Sequence, residues 1–237
     1  ICISALFQNH KKAAYGLYFA DMIGASIGCF LVEPLLGPLD AIAAILLVAV
    51  ITSSAGLLFA FASKKRKLVA VALVVLAVSS FIFVSNPHNN IINVMPNLSK
   101  SLFRELQTDP NLQGISTDWN SFSRVDVVTG YSDPIFANIF IDADAGTAIY
   151  NWNGSIASTS YLKNFIFYMP YNIIKNPSST LVIGSGGGGD ILAALVGGSA
   201  EVTAVEVNPL VIEAVNNLTG VYRYDNGNPP FDDVHEV

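Results

Sequence analysis

Three long apolar stretches dominate the first 85 residues. Tyr15–Val32 carries one charge, Asp21, over 18 positions; Ala41–Ala62 carries none over 22, and Leu68–Val84 none over 17. A helix needs roughly 20 apolar residues to cross a bilayer, so residues 1–85 read as a lipid-embedded, multi-pass region of about three helices. Asp21 stands among Gly16, Gly24, Ala25, Ser26 and Gly28, small residues that suit close helix packing. Beyond residue 85 the pattern changes. Residues 86–116 are rich in Asn, Pro and Ser around a helical patch, Ser99–Leu106, and read as a linker. From about Thr117, Arg124–Val128, Ile135–Ile141 and Ala148–Trp152, the last after a turn at Asp142–Thr147, predict an antiparallel β-hairpin unit over 117–160. Tyr161–Ile174 has a helical apolar pattern broken by Pro170. Then come a strand at Leu181-Val182-Ile183, a glycine run, a helix over Asp190–Val196, a strand at Val202–Val205, and a helix after Asn208-Pro209 through Glu213–Leu218. That order is a β-α-β unit, and it makes 161–237 an α/β domain with a parallel sheet.

Composition sharpens the division. At 52% hydrophobic and 13% charged residues, the 237-residue chain is too apolar for one ordinary soluble domain. Residues 1–85 hold six Lys/Arg and three Asp/Glu, whereas 86–237 hold six and fifteen, a balance of −9. Such a surface repels nucleic acid and suits a small cationic partner. The basic loop Lys64-Lys65-Arg66-Lys67 belongs on the cytoplasmic side by the positive-inside rule, which after three crossings would put residues 86–237 outside. A nucleotide-like cofactor argues for the cytoplasm instead. Cys2 and Cys29 lie in or beside apolar runs, and His10, His88 and His235 are scattered without acids or cysteines at ligand spacing, so no metal is expected. Gly184-Ser185-Gly186 lacks the spacing of a serine-nucleophile turn.

The chemistry concentrates at Gly184-Ser185-Gly186-Gly187-Gly188-Gly189-Asp190. Glycines between a strand and a helix allow a tight turn and close approach of a ligand to backbone, and the helix start offers unpaired N–H groups. Sixteen residues after Asp190, Glu206 ends the second strand, where a carboxylate can accept hydrogen bonds from both hydroxyls of a ribose. Asp190 reads either as a helix N-cap or as a cofactor contact. Trp119 and Arg124 read as anchors of the β unit, with a substrate entrance as the alternative.

Three stretches carry a resemblance: Tyr18-Phe19-Ala20-Asp21-Met22-Ile23-Gly24-Ala25, Trp119-Asn120-Ser121-Phe122-Ser123-Arg124-Val125-Asp126-Val127, and Leu181 through Pro209. With the domain order, they make the chain resemble the polyamine aminopropyltransferases, the spermidine synthases, and above all their membrane-fused subset. The resemblance implies a fold of N-terminal transmembrane helices, a small antiparallel β unit and a Rossmann-like, S-adenosylmethionine methyltransferase-like parallel sheet, truncated at the C-terminus. It implies transfer of an aminopropyl group from decarboxylated S-adenosylmethionine to a polyamine such as putrescine. Gly184, Gly186, Gly187, Gly188, Asp190 and Glu206 would bind the cofactor. A homo-oligomer stays open.

The chain departs from the pattern in two places. Soluble synthases carry an aspartate in the turn where this chain has Gly187, and a Tyr-His-Glu run where it has Tyr161-Leu162-Lys163. The catalytic acid of the resemblance would lie past Val237, with Asn226–Asp233 as the loop before a third strand begun by Val234–Val237, so this stretch is expected to lack it. Three alternatives remain: a methyltransferase using S-adenosylmethionine itself, a transporter-like membrane protein with a non-catalytic nucleotide-binding domain, and, more distantly, a nicotinamide-binding dehydrogenase.

Overall fold

The computed structural model describes Gln8 and residues 11–89, 91–93, 97–152 and 154–221. It divides into two units, residues 1–94 and residues 95–237.

The first unit holds three long helices: α1 (Ala14–Leu36), α2 (Ala41–Ala62) and α3 (Arg66–Asn89). All three are long and apolar enough to cross a membrane. α2 carries no charge along its length, whereas α1 includes Asp21 and Glu33 and α3 runs from Arg66-Lys67 to Asn86-Pro87-His88-Asn89. Asp40 starts α2 by accepting the Ala43 N–H at 2.8 Å. A turn around Lys64 then folds α3 back on α2 as a hairpin, in which the Ser79 hydroxyl meets that of Ser53 at 3.2 Å. A Cβ added at Gly16, Gly24 or Gly28 would meet nothing within 4 Å.

The second unit opens with α4 (Ser101–Thr108) and an antiparallel meander: β1 (Gln113–Trp119), β2 (Arg124–Thr129), β3 (Ile135–Ile141) and β4 (Ala145–Tyr150), paired in chain order. Trp119 lies opposite Arg124 and Thr117 opposite Asp126. Both faces of the sheet are covered. Val125, Val127, Ala137, Ile139 and Ile149 pack on Val211 and Val215 of α7 (Pro209–Val221). Val128 and Phe140 face the other way, against Leu102 of α4 and Leu112. Beyond the meander, a parallel pair, β5 (Thr180–Ile183) and β6 (Val202–Val205), is joined by α6 (Gly189–Val196), whose Ile191 covers Val182 and Ala204.

Some boundaries differ from those the pattern predicts. Residues 86–116 are more than a linker, because they include α4 and the first half of β1. That strand is an edge with mostly exposed polar residues, so it shows no apolar alternation. Tyr161–Ile174 is not one helix. It forms 3-10 turns at Ile156–Asn164 and Ile166–Tyr168, then one helical turn, α5 (Pro170–Ile173). Pro170 brings no N–H and stands at the first position of the last helical turn, where none is needed, while Tyr161, Phe165 and Phe167 turn towards one another instead of lining one helical face. The expected third strand at Val234–Val237 and its loop lie outside the described residues.

Candidate functional site

The end of β5 builds the site. Backbone N–H groups of Gly184 and Ser185 both donate to the Val205 carbonyl, at 2.8 and 3.2 Å, which ties the turn to the end of β6. The Gly188 N–H closes the turn on the Ser185 carbonyl at 2.9 Å, and α6 starts there. Gly184, Gly186 and Gly188 have φ of +76°, +51° and +87°, where a side chain is strained.

The glycines do different work. A Cβ on Gly184 would meet nothing within 4 Å, so this is the turn's open side. Gly186 and Gly187 instead press on β4. A Cβ on Gly186 would fall 2.7 Å from Thr147 Oγ1, and one on Gly187 would fall 2.6 Å from the Ala148 carbonyl carbon and closer still to its oxygen. The Gly187 N–H donates to Thr147 Oγ1 at 2.9 Å. Position 187, where soluble synthases carry an aspartate, is therefore closed to any side chain in this packing.

Glu206 stands across the turn. Its Oε2 accepts the Gly186 N–H at 3.0 Å and its Oε1 the Asn208 N–H at 2.9 Å. Each carboxylate oxygen has two acceptor positions, so one on each remains for a diol. The carboxylate also lines a recess with Ser185, Gly186, Ile191, Ile212 and Val215, whose cavity volume of about 20 Å³ is room for little more than one water. At Gly184, by contrast, the turn opens on free space.

Asp190 is not the N-cap. Gly188 holds that position, without a side-chain cap, and Asp190 is the second residue of α6. Burial pushes its carboxyl pKa up. Burial, then the Asp190 charge, pushes up the nearby Tyr150 hydroxyl, and burial chiefly raises Tyr161 to about 12. Tyr150, Tyr161 and Phe165 have ring centres 6.1 to 6.4 Å apart. An acidic group beside this aromatic cluster can attract a cation.

Arg124 and Trp119 act as anchors. The Arg124 guanidinium bonds buried Asp126 Oδ1 through Nε at 3.0 Å and Nη2 at 2.6 Å, and Thr117 Oγ1 donates to the same oxygen at 2.7 Å. The guanidinium lies 5.8 Å from the Phe103 ring centre and 6.0 Å from that of Trp119.

Thr147 escaped the sequence reading because its partner is 40 positions away. Asn208 carried a signal, a helix-starting Asn-Pro pair, but its tie to the β1–β2 turn did not.

No known family's sequence model matches the chain, and no curated protein matches it. Among solved structures, a spermidine synthase from Thermotoga maritima is 19% identical, with a TM-score of 0.37 over 53% of this chain and 40% of that one. A spermidine synthase in complex with the transition-state analogue AdoDATO is 18% identical, with a TM-score of 0.35 over the same shares. The match thus spans well under half the length of those synthases.

Proposed function

We propose that this chain belongs to a membrane-bound transferase that binds an adenosyl sulfonium cofactor at the glycine turn and passes its aminopropyl group to a small cationic amine. The observation that carries the reading is the pairing of Gly184, open and left-handed at the end of β5, with Glu206 at the end of β6. These are the two contacts an adenosyl ligand needs: backbone it can approach closely, and a carboxylate for the ribose hydroxyls. Decarboxylated S-adenosylmethionine supplies a carbon activated by the sulfonium. The chain's own part is to hold and aim the two reactants.

Asp190 supports the amine half. Its carboxyl lies in the first turn of α6 near Tyr150, six residues after Gly184, and would attract the ammonium while the aromatic rings pack on the alkyl chain. The closed position at Gly187 favours a second reading. Without an aspartate in the turn to hold the aminopropyl amine, S-adenosylmethionine itself becomes the cofactor and methyl transfer the reaction. Cofactor supply would place the second unit in the cytoplasm. Reagents that cannot cross the membrane, reacting with a cysteine introduced at Asn111, test that placement: labelling from the outer face alone rejects it.

Calorimetric titration of the full-length protein in detergent with decarboxylated S-adenosylmethionine, S-adenosylmethionine and NAD, with and without putrescine, tests the function. Preference for the decarboxylated form, tightened by putrescine, is the expected result. Preference for the carboxylated form selects methyl transfer, and binding of NAD alone refutes both.

A further inference from the structure

Asn208 is buried, 4% exposed, and each polar group of its amide is engaged. Its Oδ1 accepts the Leu210 N–H at 3.2 Å, capping α7, and the Asn120 Nδ2–H at 2.7 Å. Its Nδ2 donates to the buried Ser123 hydroxyl at 2.9 Å. Its backbone N–H donates to Glu206 Oε1. Both amides have one orientation only. Asn120 Oδ1 takes the N–H groups of Phe122 and Ser123, at 2.9 and 3.0 Å, and this leaves Nδ2 to face Asn208. The Leu210 N–H likewise fixes which end of Asn208 is oxygen. A continuous chain of oriented hydrogen bonds therefore runs from the β1–β2 turn to the carboxylate, across 85 and 88 positions of sequence.

We infer that Asn120, Ser123 and Asn208 are positioning residues that set the Glu206 carboxylate for a vicinal diol, so that the β1–β2 turn tunes selectivity for ribose over deoxyribose. The inference rests on the ribose role proposed for Glu206. The Asn208 N–H occupies one position on Oε1 and the Gly186 N–H one on Oε2, which leaves one acceptor position on each oxygen for the two hydroxyls of a diol. If Asn208 shifts, Oε1 rotates with it, and two-point contact with a diol is lost while the rest of the ligand still binds.

The test measures the affinity of the full-length protein in detergent for S-adenosylmethionine and for its 2′-deoxy counterpart. Asn120→Asp keeps the acceptor that shapes the turn and removes the donor to Asn208. Ser123→Ala removes the acceptor for Asn208 Nδ2, and Ser123→Thr retains it. Wild type is expected to prefer the ribo form. Asn120→Asp and Ser123→Ala should reduce that preference about fivefold or more, the worth of one hydrogen bond, with affinity for the deoxy form unchanged. Ser123→Thr should restore it. Equal losses for both ligands, or an unchanged preference in both variants, overturn the inference. If wild type and Glu206→Gln show no preference for the ribo form, the ribose role of Glu206 fails as well, a separate outcome read from separate proteins.

Discussion

Replacing Gly187 by alanine puts a methyl group against the backbone of β4. The new carbon would sit 2.6 Å from the Ala148 carbonyl carbon and 3.1 Å from the Ile149 nitrogen. Neither atom can swing away, because Ala148 pairs with Asn138 and Ile149 with Ala137 in the sheet. The glycine turn must retreat instead, which also breaks the 2.9 Å bond from Gly187 N–H to Thr147. Overpacking costs roughly 1–3 kcal/mol and the lost hydrogen bond about 1 more, so a loss of about 2–4 kcal/mol is expected. At about 3 °C per kcal/mol for a unit of this size, the melting temperature should fall by roughly 6–12 °C. Both tryptophans of the chain, Trp119 and Trp152, lie in the second unit, so their emission follows its melting in the full-length protein. Gly184→Ala is the contrasting change. Its methyl meets open space, so only the left-handed backbone is penalised, by about 1 kcal/mol, while cofactor affinity should drop sharply because the methyl fills the approach side. A Gly187→Ala melt within about 1 °C of wild type would refute the packing of the turn on β4.

Arg124→Ala should destabilise the second unit by about 3–5 kcal/mol, since it strands a buried carboxylate at Asp126; chemical denaturation followed by tryptophan emission reads this, and Arg124→Ala/Asp126→Ala should recover part of the loss. Tyr161 keeps its proton to about pH 12 in the folded chain, whereas an unfolded tyrosine releases it near its ordinary value of 10.0. The unfolded state therefore binds fewer protons above that value, and the stability from neutral Tyr161 is full below pH 10.0 and lost as pH rises towards about 12. Thermal melts across that window should fall less steeply in Tyr161→Phe. Asp190→Asn should leave the melt nearly unchanged, because the residue is exposed, and should abolish any tightening of cofactor binding by putrescine; retained tightening would remove Asp190 from the proposed amine site.

Where packing follows directly from local sequence, the fold was legible. The uncharged run at Ala41–Ala62 became a helix with those bounds, and the glycines, Asp190–Val196 and Val202–Val205 became the turn, helix and strand expected of them. The edge strand β1 was hidden because water, not a core, faces most of its residues. Tyr161–Ile174 misled because its apolar residues gather around Tyr150 and α6, a tertiary demand that overrides helical spacing. Within the site, Gly184 and Glu206 could be named from pattern alone. Gly186 and Gly187 could be named too, but the reason for them could not: their lack of side chains answers to Thr147 and Ala148, on a strand that sequence does not place beside them. The link from Asn120 through Asn208 to Glu206 was invisible for the same reason.

The most direct test of the cofactor site is equilibrium binding of an adenosyl cofactor, in both S-adenosylmethionine forms, to full-length wild type, Glu206→Gln and Glu206→Ala in detergent. Saturable binding to wild type that weakens in Glu206→Gln and is lost in Glu206→Ala, with tryptophan-detected melts showing the second unit still folded, is the predicted result. Equal affinity in all three proteins, or no binding to wild type of either form, would contradict the account.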